Sequence, residues 1–164
     1  MTQGLAPEAA GMVFRKCRSP LERRAAGRLL AGRGIPLAEP SVAGTDLFGL
    51  WDLTAPAREA LAGAAATGPL GDGGEVRLRG IAVAASAGHQ GLERRLVGEV
   101  ADSWRARGAA RLVAWPADGA GPALVLLRSV GFVAAGAGRA PAEVSAPAAG
   151  ASADDEGSWW ELEL

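Results

Sequence analysis

The chain has 164 residues, the size of one ordinary domain, and its 49% hydrophobic and 21% charged residues are enough to bury a core. Seventeen basic against 18 acidic residues leave a formal charge of −1, which argues against a protein that coats nucleic acid through many phosphate contacts. A single cysteine, Cys17, excludes an internal disulfide. With the single histidine, His89, it leaves no cysteine–histidine set for a metal, so none is expected.

Residues 1–11 read as a flexible lead-in without the basic and apolar regions of a signal peptide. The longest apolar stretch, residues 119–127, is far shorter than the roughly 20 residues that span a bilayer. The expectation is a cytoplasmic protein with neither membrane nor nucleic-acid partners. Residues 12–17 predict a short strand. Ser19 and Pro20 open a helix, because serine caps a free backbone N–H and proline suits the first helical position. Leu21, Ala25, Leu29 and Leu30 share one face of that helix, and Gly32 and Gly34 end it. Its basic residues, Arg23, Arg24 and Arg28, read as a solvated face.

Residues 47–54 predict a strand of large apolar side chains. Over 55–67 the abundance of alanine favours a helix, which Gly63 and Gly68 weaken. Residues 69–74 form a turn. Residues 75–85 are the clearest strand. Val76 and Leu78 share one parity, while Ile81 and Val83 share the other, with Gly80 between them. Either a bulge at the glycine or a strand covered on both faces explains that switch.

Leu92, Leu96, Val100 and Trp104 repeat at spacing four and predict a helix over 92–107, closed by Gly108. Residues 111–115 predict a strand stopped by Pro116. Pro122 opens a shorter helix through Val130, closed by Gly131, and a strand begins at Phe132. Residues 136–157, rich in Ala, Gly, Pro and Ser, read as a mobile loop. Trp160, Leu162 and Leu164 alternate in a terminal strand. The element order is that of a mixed α/β (α+β) single domain.

The turn between the clearest strand and the best helix carries Gly88, His89, Gln90 and Gly91 and leads into Glu93, Arg94 and Arg95. A glycine-bearing turn at a helix start can hold an anion, because the first N–H groups lack partners within the helix. Taken by itself this signal is weak.

Residues 75–133 resemble the GCN5-related N-acetyltransferase (GNAT) superfamily. The resemblance is carried by the strand at 78–83, the turn 88–94, the helix 96–108, the strand 111–115 and the closing run Leu126-Leu127-Arg128-Ser129-Val130-Gly131-Phe132. It implies an N-acetyltransferase-like domain over 12–164, with a splayed mixed sheet flanked by helices. It also makes 47–54 and 60–67 a central hairpin, against the helical propensity of the second segment. The implied co-substrate is acetyl-coenzyme A. Its pantetheine arm would pair with Ile81, Ala82 and Val83, and its pyrophosphate would rest on His89, Gln90, Gly91, Leu92, Glu93 and Arg94. The implied reaction is acyl transfer by direct attack of an amine, on a small molecule or a protein, by a monomer or homodimer.

The sequence departs from the family at several of its usual residues. Gly88 and Glu93 replace a polar and a small residue of the turn. Leu127 stands where a tyrosine acid is common, Ala120 where an asparagine is common, and Trp115 where some members place a glutamate base. Glu75, Asp118 and Asp52 are the remaining candidates for a general base. Cys17 reads as inert packing rather than a nucleophile. Trp51, Trp104 and Trp115 read as core residues, and Trp159 and Trp160 are left open. The alternative reading is a catalytically silent relative that binds a coenzyme A ester or a protein partner.

Overall fold

The computed structural model describes residues 11–33, 35–36, 45–57, 60–85, 91–116, 122–138 and 157–164. The elements in chain order are β1 (Met12–Lys16), α1 (Pro20–Arg33), β2 (Ile35–Pro36), β3 (Asp46–Asp52), β4 (Leu61–Thr67), β5 (Glu75–Val83), α2 (Leu92–Arg105), β6 (Arg111–Ala114), α3 (Pro122–Val130), β7 (Val133–Gly138) and β8 (Gly157–Glu163). Seven strands form one sheet in the order β1-β3-β4-β5-β6-β8-β7, and β2 pairs with β5 off that path. Every pairing is antiparallel except β5 with β6, which is parallel. The mixed α/β expectation from sequence therefore holds.

The strand β4 resolves the conflict over residues 55–67 in favour of the hairpin. It lies between β3 and β5, and its small side chains are buried on both faces. Ala64 and Ala66 pack with Cys17, Ala26 and Leu30 on the α1 side, whereas Ala65 packs with Phe48, Leu96 and Val97 on the α2 side. Helices thus approach the sheet centre from both sides. Burial overrides the helical propensity of alanine, which is a weak preference of tenths of a kcal/mol per residue.

Helix α1 begins as its sequence predicts. The Glu22 N–H donates to Ser19 Oγ at 3.2 Å, and the Ser19 N–H donates back to the Glu22 carboxylate at 3.2 Å, a reciprocal cap that satisfies two free donors. Helix α2 buries Leu92, Leu96, Val97, Val100, Ala101 and Trp104 against the sheet, and it stops at Arg105, short of the expected 107. Strands β7 and β8 take Gly136, Ala137, Gly138 and Gly157 from the segment read as loop. The rest of that segment and residues 1–10 of the lead-in lie outside the described residues.

The register of β4 against β5 shifts between Ala66 and Thr67. Ala66 faces Gly80, Thr67 faces Leu78, and Arg79 is the extra residue. This bulge explains the parity switch in the β5 sequence. On the α2 side it leaves a buried pair, in which the Trp104 indole N–H donates to Thr67 Oγ1 at 3.2 Å. Thr67→Val keeps the shape and leaves that buried N–H without its acceptor. It should cost about 1–3 kcal/mol in urea unfolding; unchanged stability would show that the bond contributes nothing.

Cys17 is 1% exposed in the α1-side core. Burial first, and the nearby Glu22 carboxylate second, push its thiol up from 9.0 to about 11. In the unfolded chain the thiol ionises near 9, while in the folded protein it stays neutral to about 11. The stability from this group is therefore full below pH 9 and is lost as pH rises from 9 to 11. Native protein should resist iodoacetamide at pH 8 and react fully once denatured. Rapid labelling of the native state would contradict this burial.

Candidate active site

The parallel strands β5 and β6 pair only from Glu75 to Leu78 and from Arg111 to Ala114. Two features stop the ladder there. Arg79 bulges out of β5, and β6 runs into Trp115 and Pro116, where proline has no N–H to continue the pairing. Strand β5 goes on beyond β6 to Val83, so the two parallel strands part at their carboxyl ends. The two-residue strand β2 takes part of the exposed edge, with Ile35 opposite Ile81 and Pro36 opposite Gly80.

Helix α2 starts at the same end. Its cap, Gly91, has φ 92° and ψ 3° and makes no side-chain cap bond. A Cβ there would meet nothing within 4 Å, so the glycine is required by its left-handed backbone and not by crowding. The first helical bond of the turn is Arg95 N–H to Gly91 O at 3.0 Å. The amides of Leu92, Glu93 and Arg94 precede it and have no acceptor within the helix. Glu93 is half-buried and Arg94 exposed. Arg95 turns to the Met12 carbonyl at 3.4 Å and to Glu99 at 3.7 Å.

The face of the sheet opposite α2 carries an open cavity of about 540 Å³ over β5, β6, β7 and β8. Glu75, Arg77 and Arg79 of β5, Arg111 of β6, and Trp159 and Glu161 of β8 line it. The even-numbered partners Val76, Leu78, Leu112 and Trp160 lie in the core beneath α2 and α3. Arg111 meets the Glu75 carboxylate at 3.1 Å and Glu161 at 3.8 Å. The Arg79 guanidinium donates to Thr45 Oγ1 at 3.1 Å. Arg77 stands 5.4 Å from the centre of the Trp159 ring, which meets Trp115 edge-on at 5.2 Å.

These positions sort the candidates. Ile81, Ala82 and Val83 form the free-running end of β5, and Gly91, Leu92, Glu93 and Arg94 form the start of α2. His89, Gln90, Asp118 and Ala120 lie outside the described residues. Glu75 is the first residue of β5, with its side chain 48% exposed and paired with Arg111. Four residue steps along the strand take it to the bulge at Arg79, about 13 Å at roughly 3.3 Å each. Asp52 accepts from the Thr54 N–H at 2.9 Å and from the Thr54 hydroxyl at 2.6 Å, and so holds a turn. Leu127 is fully buried in the core and has no acidic proton to donate. Among the described residues no cluster of three or more His, Cys, Asp or Glu side chains is placed to hold a metal. No described helix is long and apolar enough to cross a membrane. Sequence reading missed the arginine-lined cavity, although the alternation Glu75-Arg77-Arg79 marks one polar strand face. Trp159 and Glu161 join it only through the pairing of β6 with β8.

No family model matches the chain, and no curated protein matches it. Solved structures do. A Desulfovibrio desulfuricans protein described as an acetyltransferase of the GNAT family matches with a TM-score of 0.66 at 22% identity, over 93% of this chain and 98% of that one. The ribosomal-protein-S18-alanine N-acetyltransferase of Escherichia coli matches with a TM-score of 0.62 at 21% identity, over 93% and 94%. A GNAT family acetyltransferase of Elizabethkingia anophelis with acetyl-CoA bound matches with a TM-score of 0.64 at 17% identity, over 94% and 99%. Over nearly its whole length the chain thus has the fold of the GNAT acetyltransferases.

Proposed function

We propose that the protein is an acyl-coenzyme A-dependent N-acyltransferase that moves an acetyl group to an amine by direct attack. The observation that carries this reading is the parting of β5 from β6 beside the start of α2. Free amides at a helix start favour a pyrophosphate, and the edge of β5 at Ile81, Ala82 and Val83 offers backbone groups to an extended amide-bearing arm. The likeness to a structure that holds acetyl-CoA supports the same assignment.

On this reading the thioester meets the amine at the bulge. The amine nitrogen bonds to the carbonyl carbon, charge gathers on the carbonyl oxygen, and the carbon–sulfur bond breaks to release the coenzyme thiolate. That oxygen would need a donor there, and backbone N–H groups serve this purpose in acyl transfer. The amine must also lose a proton. Glu75 is the described carboxylate proposed for this, acting through water because of its distance, and Asp118 is the other candidate base. Leu127 supplies no acid, so placement of the two reactants bears most of the rate, as proximity can.

Two features favour the silent-relative reading as an alternative. The strand β2 already pairs at Gly80 and Ile81, so the arm must displace two residues, one of them a proline without an N–H. Glu93 puts a carboxylate at the helix start, where it suits the free helix and repels a pyrophosphate. Both features raise the cost of binding without closing the site.

Free-thiol release from acetyl-CoA over a panel of amines is the direct test, and turnover with at least one acceptor is expected. Glu93→Gly should bind acetyl-CoA about two- to fivefold tighter, the scale of a carboxylate at a helix terminus. The gain should shrink at high salt, as a screened charge effect does. Binding without turnover across the panel would favour the silent relative. No binding by either protein would refute the coenzyme site.

A further inference from the structure

The extra residue of β5 has two possible places. Val76 and Leu78 before it, and Ile81 after it, are at most 1% exposed in the core beneath α2. That burial requires one extra residue between Leu78 and Ile81, and either residue 79 or residue 80 satisfies it. In the structure Gly80 takes the paired place opposite Ala66, and Arg79 is left over. With Gly80 left over instead, Arg79 would face Ala66, while Thr67 opposite Leu78 and Ala65 opposite Ile81 would stay as they are. Apolar packing does not choose between the two, and glycine is the residue that bulges most readily.

The side chain of Arg79 distinguishes them. Arg79 is 8% exposed and Thr45 is 5% exposed. The guanidinium crosses β4 at Gly68, where a Cβ would come within 3.3 Å of Nε and Nη2, and Nη1 donates to Thr45 Oγ1 at 3.1 Å beside the start of β3. No left-handed backbone explains the glycine at 68; the close passage of the guanidinium does. Thr45 is itself anchored, since its carbonyl accepts from Arg23 Nη2 of α1 at 3.2 Å. Asp46 faces Thr67 in the β3–β4 register, so Thr45 lies level with Gly68, on the Arg77 side of the bulge. Taking the place opposite Ala66 would carry Arg79 the other way, by up to about 3.3 Å, one residue step. The bond to Thr45 does not tolerate that displacement, and a buried bond to a charged group is costly to lose.

We infer that Arg79 is a positioning residue: its side chain, reaching over Gly68 to Thr45, fixes the extra residue of β5 at 79 and keeps Gly80 in the ladder. It acts on the backbone and not on the substrate. The edge from Ile81 onward is the same in both arrangements, as is the start of α2, so the proposed coenzyme contacts do not depend on it. The backbone groups at 79 and 80 do depend on it, and the thioester is proposed to meet the amine there. The effect on transfer rests on the reading proposed above, whereas the effect on register does not.

Cross-strand contacts of Ala66 in NMR spectra read the register without any turnover, and in the wild type they should fall on Gly80. Arg79→Met removes the guanidinium at similar length, and Gly68→Val blocks its passage while leaving the charge. In both variants, with melting curves confirming that they fold, the contacts of Ala66 should move to residue 79. Thr45→Val, which removes only the acceptor, stands in for either variant if it fails to fold. Thr45→Ser keeps the hydroxyl and should keep the wild-type register. Wild-type contacts in both Arg79→Met and Gly68→Val would overturn the proposal. For transfer, kcat should fall about tenfold to a hundredfold in those two variants, the scale of a misplacement of about 1 Å. The Kd for acetyl-CoA should stay within about twofold, because only the step after binding loses an interaction. A shifted register with unchanged kcat would overturn the positioning role. A wild type that turns over no amine would refute the transferase reading, and the register would still decide whether Arg79 holds the bulge.

Discussion

The pairing of β5 with β6 is limited to residues 75–78 and 111–114, and the candidate site follows from that limit. A parallel pair needs a crossover between its strands, here α2, and the crossover puts the start of the helix at the carboxyl ends of both strands. Once Arg79 leaves the ladder and Pro116 ends β6, a stretch of β5 paired on that side only by the two residues of β2, and helix amides without acceptors within their own helix, lie at the same end of the molecule. Neither needs a particular side chain. The proposed site therefore does not hinge on Glu93 or Leu127, where the sequence departs from the family pattern.

The same bulge sorts the two faces of the sheet. Before it, even-numbered residues of β5 pack under α2 and odd-numbered residues face the cavity. After it, Ile81 packs with the α2 core and Ala82 with the α1 core. Arg79 is the residue left over, and it is the one whose guanidinium lies between Thr45 and Gly68.

Sequence made the periodic elements legible. The spacing of Leu92, Leu96, Val100 and Trp104 gave α2, whereas the parity switch at Gly80 left a bulge and a strand covered on both faces equally open until the β4–β5 register showed the bulge. The alanines of β4 pointed to a helix by propensity, and only the resemblance made the segment a strand, which its burial between α1 and α2 bears out. The strand β2 carried no pattern, since two residues ending in a proline show no period. At the site, Ile81 to Val83 and Gly91 to Arg94 were reached by resemblance, and the structure puts them at the parted edge and the helix start. The cavity was legible only in part. Arg77 and Arg79 alternate visibly along one strand, but Glu161 and Trp159 reach them through a long-range pairing that no local pattern encodes. Glu75 was named for its nearness to the cleft, whereas its pairing with Arg111 depends on the parallel register.

The central claim is that the exposed edge of β5 receives the coenzyme arm in place of β2. Amide hydrogen exchange with and without coenzyme A tests it most directly. The account predicts slower exchange over residues 80–83 and 91–94 when the coenzyme is present, with faster exchange at Ile35 as β2 is released, while β1 and β3 stay unchanged. Slower exchange at 91–94 alone, with residues 80–83 and Ile35 unaffected, would contradict it.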